Sequence, residues 1–280
     1  MQTDAFQIQY RQEWIKGFEQ MQSLCRDAVT TEAVIKGNQA RFLIADSGDA
    51  ETTSRGANGN IPARIDNIDL QTATLTEEHD LVKKTRFNIF ASQSDQRAIM
   101  QYTSMGVINR TMDDQIITAL SSATNQLAPA AAAASLQMAL QALTFLGNNS
   151  VAYDGQIYAF VSPAFYGNLA KLGEFTSADF VNRKTLDNAG PQRMMQGYYE
   201  WSNIKWIVHP NLRGVGTNSC ECYVFHKSAI GHACDVGGLD SAVGYNDEQD
   251  YSYCRSTVFC GATILQNRGV VKILHDDTSV

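Results

Sequence analysis

Proline is scarce in this 280-residue chain, five residues against 20 glycines, and the glycines are scattered rather than gathered into tracts. With no internal repeat either, that excludes a low-complexity or repeat architecture. An excess of positive charge is also missing. Lys and Arg number 22 and Asp and Glu 29, so the net charge is −7 and the pI lies near 5.2. A uniformly acidic chain is poorly suited to gripping nucleic acid, because phosphate binding needs clustered cations. Long apolar runs are absent as well. Ala130–Ala134 is too short and too weakly apolar to span a bilayer. Met1-Gln2-Thr3-Asp4-Ala5 has neither the basic nor the apolar region of an export signal. No membrane partner is therefore expected, and the six cysteines are expected to stay reduced. What is present is 44% hydrophobic and 18% charged sequence, a globular composition long enough for one large domain or two small ones.

Residues that carry chemistry are equally sparse. Cys220-Glu221-Cys222, His226, His232 and Cys234 lie close together in sequence. Structural zinc sites usually pair their ligands two to four residues apart on a turn, whereas Cys-x-Cys on a strand places both thiols on one face. Six unliganded thiols and no metal are the expectation. A thiolate–imidazole pair drawn from Cys220 or Cys234 with His226 or His232 can be imagined, but no nucleophile elbow surrounds any Ser or Cys. No phosphate-cradling loop is present, and Gly56-Ala57-Asn58-Gly59 leads into no suitable helix. The acids at Asp66/Asp69, Glu77/Glu78, Asp113/Asp114 and Asp276/Asp277 read as solvated faces rather than acid–base pairs. Lys83, Lys84 and Arg86 form a small basic cluster, either plain surface charge or a contact for an acidic neighbour. No catalytic, cofactor-binding or metal-binding residue is predicted.

Along the chain, Trp14, Phe18, Met21, Cys25 and Val29 recur at helical steps and predict an amphipathic helix, packed on its own domain or on a neighbouring subunit. Ala40–Ile44 predicts a strand. After it, the run 46–60 is small, polar and rich in Gly, and Leu70, Thr72, Thr74 and Thr76 alternate as a second strand. The pair makes a long two-stranded excursion with a soft tip, marginal unless something outside the subunit supports it.

A long helix follows, with a capping signal at Ser92 and Asp95. Its inward stripe is Met105, Ile108, Met112, Ile116 and Leu120, expected to pack beneath strands containing Val258, Ile264 and Val270, and it ends near 121–125. A further helix is predicted over 135–146, with Leu136, Leu140, Leu143 and Leu146 inward and Gly147 as terminator. Strands are predicted at 156–161, 204–208, 222–225, 251–265 and 270–275. Ser162-Pro163 opens a helix, and a short one is expected at Ala229-Ile230. The fold class is α+β.

This order of elements resembles the major capsid protein of tailed bacteriophages, the Hong Kong 97-type fold. Trp14–Val29 is similar to that family's arm. Met105–Leu120 is similar to its spine helix, where Gly106-x-x-x-Arg110-x-x-Asp113-x-x-Ile116-x-x-Ala119-Leu120 follows a familiar pattern. Phe160–Leu169 and Tyr223–Ala233 resemble segments of its axial lobe. The likeness spans nearly the whole chain. It implies an N-terminal arm over 1–35, an extended β-hairpin loop over 36–90, a peripheral domain over 91–149 and 248–280, and an axial domain over 150–247. It also implies self-assembly as hexamers and pentamers into an icosahedral head around double-stranded DNA, contacted weakly. Portal, scaffolding and decoration proteins are the implied partners, the virion is the implied location, and synthesis takes place in the host bacterial cytoplasm. No Lys or Asn here matches the isopeptide cross-link of some members. An encapsulin-like shell without DNA, or an enzyme using a Cys/His site, are the alternatives.

Overall fold

The computed structural model describes residues 18–31, 33–47, 50–55, 59, 61, 63, 64, 66–91, 95–127, 131–176, 198–234 and 240–279. In chain order the strands are β1 (Val34–Lys36), β2 (Gln39–Asp46), β3 (Asn67–Thr74), β4 (Thr76–Thr85), β5 (Ile157–Val161), β6 (Tyr198–Trp201), β7 (Ile204–Val208), β8 (Cys220–His226), β9 (Ile230–Cys234), β10 (Asp240–Asn246), β11 (Tyr251–Ile264) and β12 (Val270–His275). The helices are α1 (Arg86–Ala91), α2 (Gln96–Ser121), α3 (Leu136–Asn148), α4 (Pro163–Ala170) and α5 (Gly173–Thr176). The predicted α+β class holds. The chain divides into two compact units, one from Met1–Ser23, Thr76–Asp113 and Cys234–Cys260, the other from Leu24–Leu75, Asp114–Ala233 and Gly261–Val280.

The first unit is built on an antiparallel sheet in the order β10-β11-β4, with Thr76 opposite Cys260 and Thr85 opposite Tyr251. Asp95 caps α2, its Oδ1 accepting from the backbone amides of Arg97 (3.0 Å) and Ala98 (3.2 Å). Ser92, the other half of the predicted signal, lies outside the described residues. Ile108 and Met112 of α2 bury against Val258 and Cys260 of β11, as predicted. Met105 does not join them, being half exposed. One step earlier on the buried stripe sits Ser104, whose hydroxyl meets that of Ser256 at 2.9 Å. A serine carries no apolar signal, so the periodicity alone assigned its place to Met105.

The predicted N-terminal helix needs correction. Residues 1–17, including Trp14, lie outside the described residues, and 18–25 are not helical. Among the described residues the first helical turn is a 3₁₀ turn at Arg26–Ala28. Side chains of α2 hold this segment in place instead. Asn109 Nδ2 donates to Met21 O (2.8 Å), Arg110 pairs with Glu19 (2.7 Å), and Ser23 Oγ donates to Asp113 Oδ1 (2.5 Å). Tertiary contacts thus outweigh a weak local preference.

In the second unit, a mixed five-stranded sheet runs in the order β12-β8-β5-β7-β6, with β5 and β7 parallel and the other pairs antiparallel. Its central strands read as continuous apolar runs because both faces are covered. Phe160, Phe165, Phe175, Trp206, Tyr223 and Phe225 are fully buried. Each such side chain contributes about 1.5–3 kcal/mol by leaving water. Phe160 meets Phe225 edge-on at 5.0 Å. Ile116 and Leu120 enter this core with Val270, and Ile264 packs against it. The β6–β7 turn places both Ser202 and Asn203 at positive φ, the geometry that matches strand twist in a two-residue hairpin.

α3 runs two residues beyond the predicted 146. Ser135 caps it through Met138 N, and Gly147 lies inside it rather than ending it. A Cβ on Gly147 would collide with the hydroxyl of Tyr153, which donates to Leu143 O at 2.7 Å, so glycine is there for close approach. Ala139, Ala142 and Leu146 are fully buried and Leu136 and Leu143 pack against the same core as predicted, while Leu140 is exposed. The expected helix at Ala229-Ile230 is a 3₁₀ turn over Lys227–Ala229, and Ile230 opens β9. Because β12 pairs β8 and α3 packs on β12, residues 136–149 and 261–280 group with 150–233 rather than with the sheet of the first unit.

Candidate functional site

The excursion is a β-hairpin. β2 and β3 pair antiparallel from Gln39 opposite Thr74 out to Asp46 opposite Asn67. β1, which the sequence reading did not anticipate, adds a third strand through the turn at Gly37-Asn38, where Gly37 has φ +63°. The three-stranded sheet has two faces. Ala40, Phe42 and Ala73 pack inward with Ala233 and Leu265. Phe42 lies so close to Gly231 that a Cβ there would sit 2.7 Å from its ring. Pairing and strand alternation place Val34, Leu43, Leu70 and Ile68 on the opposite face. Their exposures are 60%, 71%, 48% and 63%. An apolar stripe of this kind, unpartnered along one face of a sheet, marks an interaction surface.

Of the residues considered for catalysis, Cys220 and His226 are not brought together. Cys220 and His226 stand at opposite ends of β8, about 20 Å apart at strand rise. Cys220 and Cys222 are fully buried, and burial pushes the Cys222 thiol well up, which makes it a poor nucleophile. His226 sits beside Ser228 (Nδ1 to Oγ, 2.7 Å) and Asp154 (Nε2 to Oδ1, 3.1 Å). At Asp154, partial desolvation opposes ionisation, but the Gln156 amide and His226 outweigh it and hold the carboxyl below the ordinary range. His232 is buried in β9, where its amide donates to Thr30 O (2.8 Å). Lys83 lies over the Tyr251 ring at 4.7 Å, and Lys84 donates to Gln96.

Two acids expected in solvent are buried instead. Asp113 is 1% exposed and accepts from Gln20 and Ser23. Asp277 accepts from Ser162 Oγ (2.6 Å) and Gly216 N (2.9 Å), and His275 Nδ1 lies 2.6 Å from the same Oδ1 that Ser162 reaches. Desolvation pushes the Asp277 pKa up, but these three partners more than offset it and the net direction is down. Ser, His and Asp thus meet in a buried cluster, with the carboxylate in the middle. Ser162 donates to Asp277 rather than to the imidazole, so nothing there activates a nucleophile. The cluster ties the last residues to α4, since Ser162 also caps that helix through Phe165 N (3.1 Å). Asp66, Asp69, Glu77 and Asp114 are exposed, and Asp66 pairs with Arg64 at 2.5 Å. The cysteines form no disulfide among the described residues.

With this geometry in hand, the profile of the phage capsid protein family matches residues 3–277. The chain belongs to that family. A capsid protein is a component of the virion, and it works as one of many copies in a shell. Three solved structures illustrate the likeness. One of Mycobacterium phage Che8 aligns at a TM-score of 0.72 and 15% identity, covering 97% of both chains. The capsid of Ralstonia phage GP4 aligns at 0.70 and 12% identity, covering 98% of this chain and 96% of that one. The head structure of Helicobacter pylori bacteriophage KHP40 aligns at 0.69 and 13% identity, again with 98% and 96% coverage. This capsid protein shares the fold of these phage structures, the Hong Kong 97-type fold. No curated protein matches. No helix among the described residues is long and apolar enough to cross a membrane.

The spine-helix pattern now has a physical content. Gly106 faces Met21, and a Cβ there would come within 2.8 Å of its Sδ. Arg110 and Asp113 hold Glu19, Gln20 and Ser23, while Ile116 and Leu120 are core. The first half of the pattern receives residues 19–23, and the second half is buried in a core.

Proposed function

We propose that the capsid protein assembles as hexamers and pentamers into the icosahedral head that encloses the double-stranded DNA of a tailed phage. The observation that carries this reading is the exposed apolar face of the β1–β3 sheet. Val34, Leu43, Leu70 and Ile68 stand on a hairpin too poor in buried contacts to need them for its own fold, and they suit a neighbouring copy. In this reading α2 and the β10-β11-β4 sheet form the peripheral domain, the five-stranded sheet is the axial domain, and residues 1–35 are the arm. The protein has no enzymatic role. A net charge of −7 limits adhesion to packaged DNA, so contact with the genome is weak and non-specific. Portal, scaffolding and decoration proteins complete the particle, and synthesis takes place in the host cytoplasm.

Cryo-electron microscopy of the expressed protein, alone and together with neighbouring phage genes, tests the reading. Closed shells with hexamers and pentamers are expected. A stable monomer or dimer under every assembly condition would overturn it.

A further inference from the structure

The outer half of the hairpin is separated from the rest of its unit by open space. One cavity of about 280 Å³ lies between Asp46 and Ser47 on one side and Ser150, His226 and Arg268 on the other. A second of about 290 Å³ lies under Ile44, Asn67 and Asp69, against Leu265 and Arg268. Arg268, on the 3₁₀ turn Asn267–Gly269, stands at both, and its Nη2 lies 3.1 Å from Asp46 Oδ2. Asp46 is the last residue of β2, and its other oxygen accepts from Asn67 Nδ2 at 2.6 Å, so the ion pair reaches both strands of the hairpin. Four residues inward, Phe42 wedges between Gly231 and Leu265. The hairpin is therefore pinned at Phe42 and spanned beyond it, about 13 Å further out at strand rise, by a charge pair with empty volume on either side.

We infer that Arg268 is a positioning residue for assembly, a releasable ionic latch that sets the angle at which the hairpin presents its apolar face. This rests on the proposed docking of that face on a second copy. The packed pivot keeps the hairpin attached, while the latch sets its direction. Space on both sides lets the hairpin swing when the pair opens, since no side chain has to be expelled. A half-exposed ion pair is weak enough to yield when a neighbour offers better contacts, and salt weakens it further.

Hydrogen exchange on the full-length protein before assembly tests the latch, with Arg268 changed to Lys, Gln and Glu. In Arg268→Gln, amides of residues 43–46 and 67–70 should exchange about 1.5–5-fold faster than in the wild type at low salt. Arg268→Glu, which repels Asp46, should exceed Arg268→Gln, and Arg268→Lys should restore the wild-type rate. High salt should erase the difference between wild type and Arg268→Gln, and β5 and β8 should be unaffected throughout. Equal rates in all four proteins, or a Lys variant as fast as the Gln variant, would overturn the latch. That outcome is distinct from failure of the assembly reading, because exchange is measured on the unassembled protein and shell formation by the wild type is scored separately.

Discussion

Two sheets of the second unit use apolar side chains in opposite ways. In the five-stranded sheet, β5, β7 and β8 bury nearly everything they carry, and aromatic rings interlock on both faces. In the three-stranded sheet, one face closes with Ala40, Phe42 and Ala73, and the other leaves Leu43, Leu70 and Ile68 in water. The first sheet is complete within one chain. The second becomes complete only when something covers it, and in a shell protein a second copy is at hand. The difference separates residues that a subunit needs to fold from residues that it needs to associate.

The most damaging way to test this comparison is inside the first sheet's core. Ile116→Asp places an unpaired charge where Ile116, Leu120 and Val270 meet, and it should cost more than about 4 kcal/mol and prevent soluble folding. Expression with solubility and circular dichroism checks this, and a soluble, assembly-competent variant would refute the core assignment. Phe160→Ala in the same core should cost about 3–5 kcal/mol in urea unfolding.

Smaller effects are expected at the buried acids. Asp277→Asn removes the charge that Ser162, Gly216 N and His275 surround, and should cost about 1–3 kcal/mol. Because the native pKa of Asp277 lies below its unfolded value, its contribution is present above the unfolded pKa of about 3.9 and is lost as pH falls through the native value. Urea midpoints of wild type and Asp277→Asn should therefore converge on acidification below about pH 4. Asp113→Asn should also be felt, by about 1 kcal/mol, since the amide keeps one acceptor oxygen for Ser23 or Gln20 and turns an NH2 toward the other donor.

The outer face of the hairpin should show the reverse pattern. Leu43→Asp with Leu70→Asp should lower the unfolding free energy by only about 1–2 kcal/mol, since the two carboxylates face each other across β2 and β3, yet leave the core folded and remove assembly. Deleting 49–60 should likewise leave the core folded and weaken assembly. Thermal unfolding beside particle yield distinguishes the two properties, and a deletion that unfolds the subunit would place the tip in the core.

Local signals made most elements legible. The capped Ser162-Pro163 start of α4, the β-compatible run Ala40–Ile44 and the apolar runs of β5, β7 and β8 each carry their own pattern. Errors arose where a distant partner decided the outcome. Cys25 and Val29 are buried as their spacing suggested, but the segment before them takes its hydrogen bonds from α2, about 90 residues away in sequence. Asp113 and Asp277 look like solvated acids because Ser23 and Ser162 stand 90 and 115 residues from them. β1 escaped although Gly37-Asn38 between two β-compatible runs is a hairpin signal. The apolar face of the hairpin was half visible, since the weakness of the excursion was read from composition and its two-sidedness needs the strand register.

Sedimentation of the wild type beside Leu43→Asp/Leu70→Asp, expressed under identical assembly conditions, tests the central claim most directly. The wild type should sediment as megadalton shells. The variant should remain a folded, small species with the wild-type circular dichroism spectrum. A variant that forms shells as well as the wild type, or a wild type that stays small under every condition, would contradict the claim that this face joins one copy to the next.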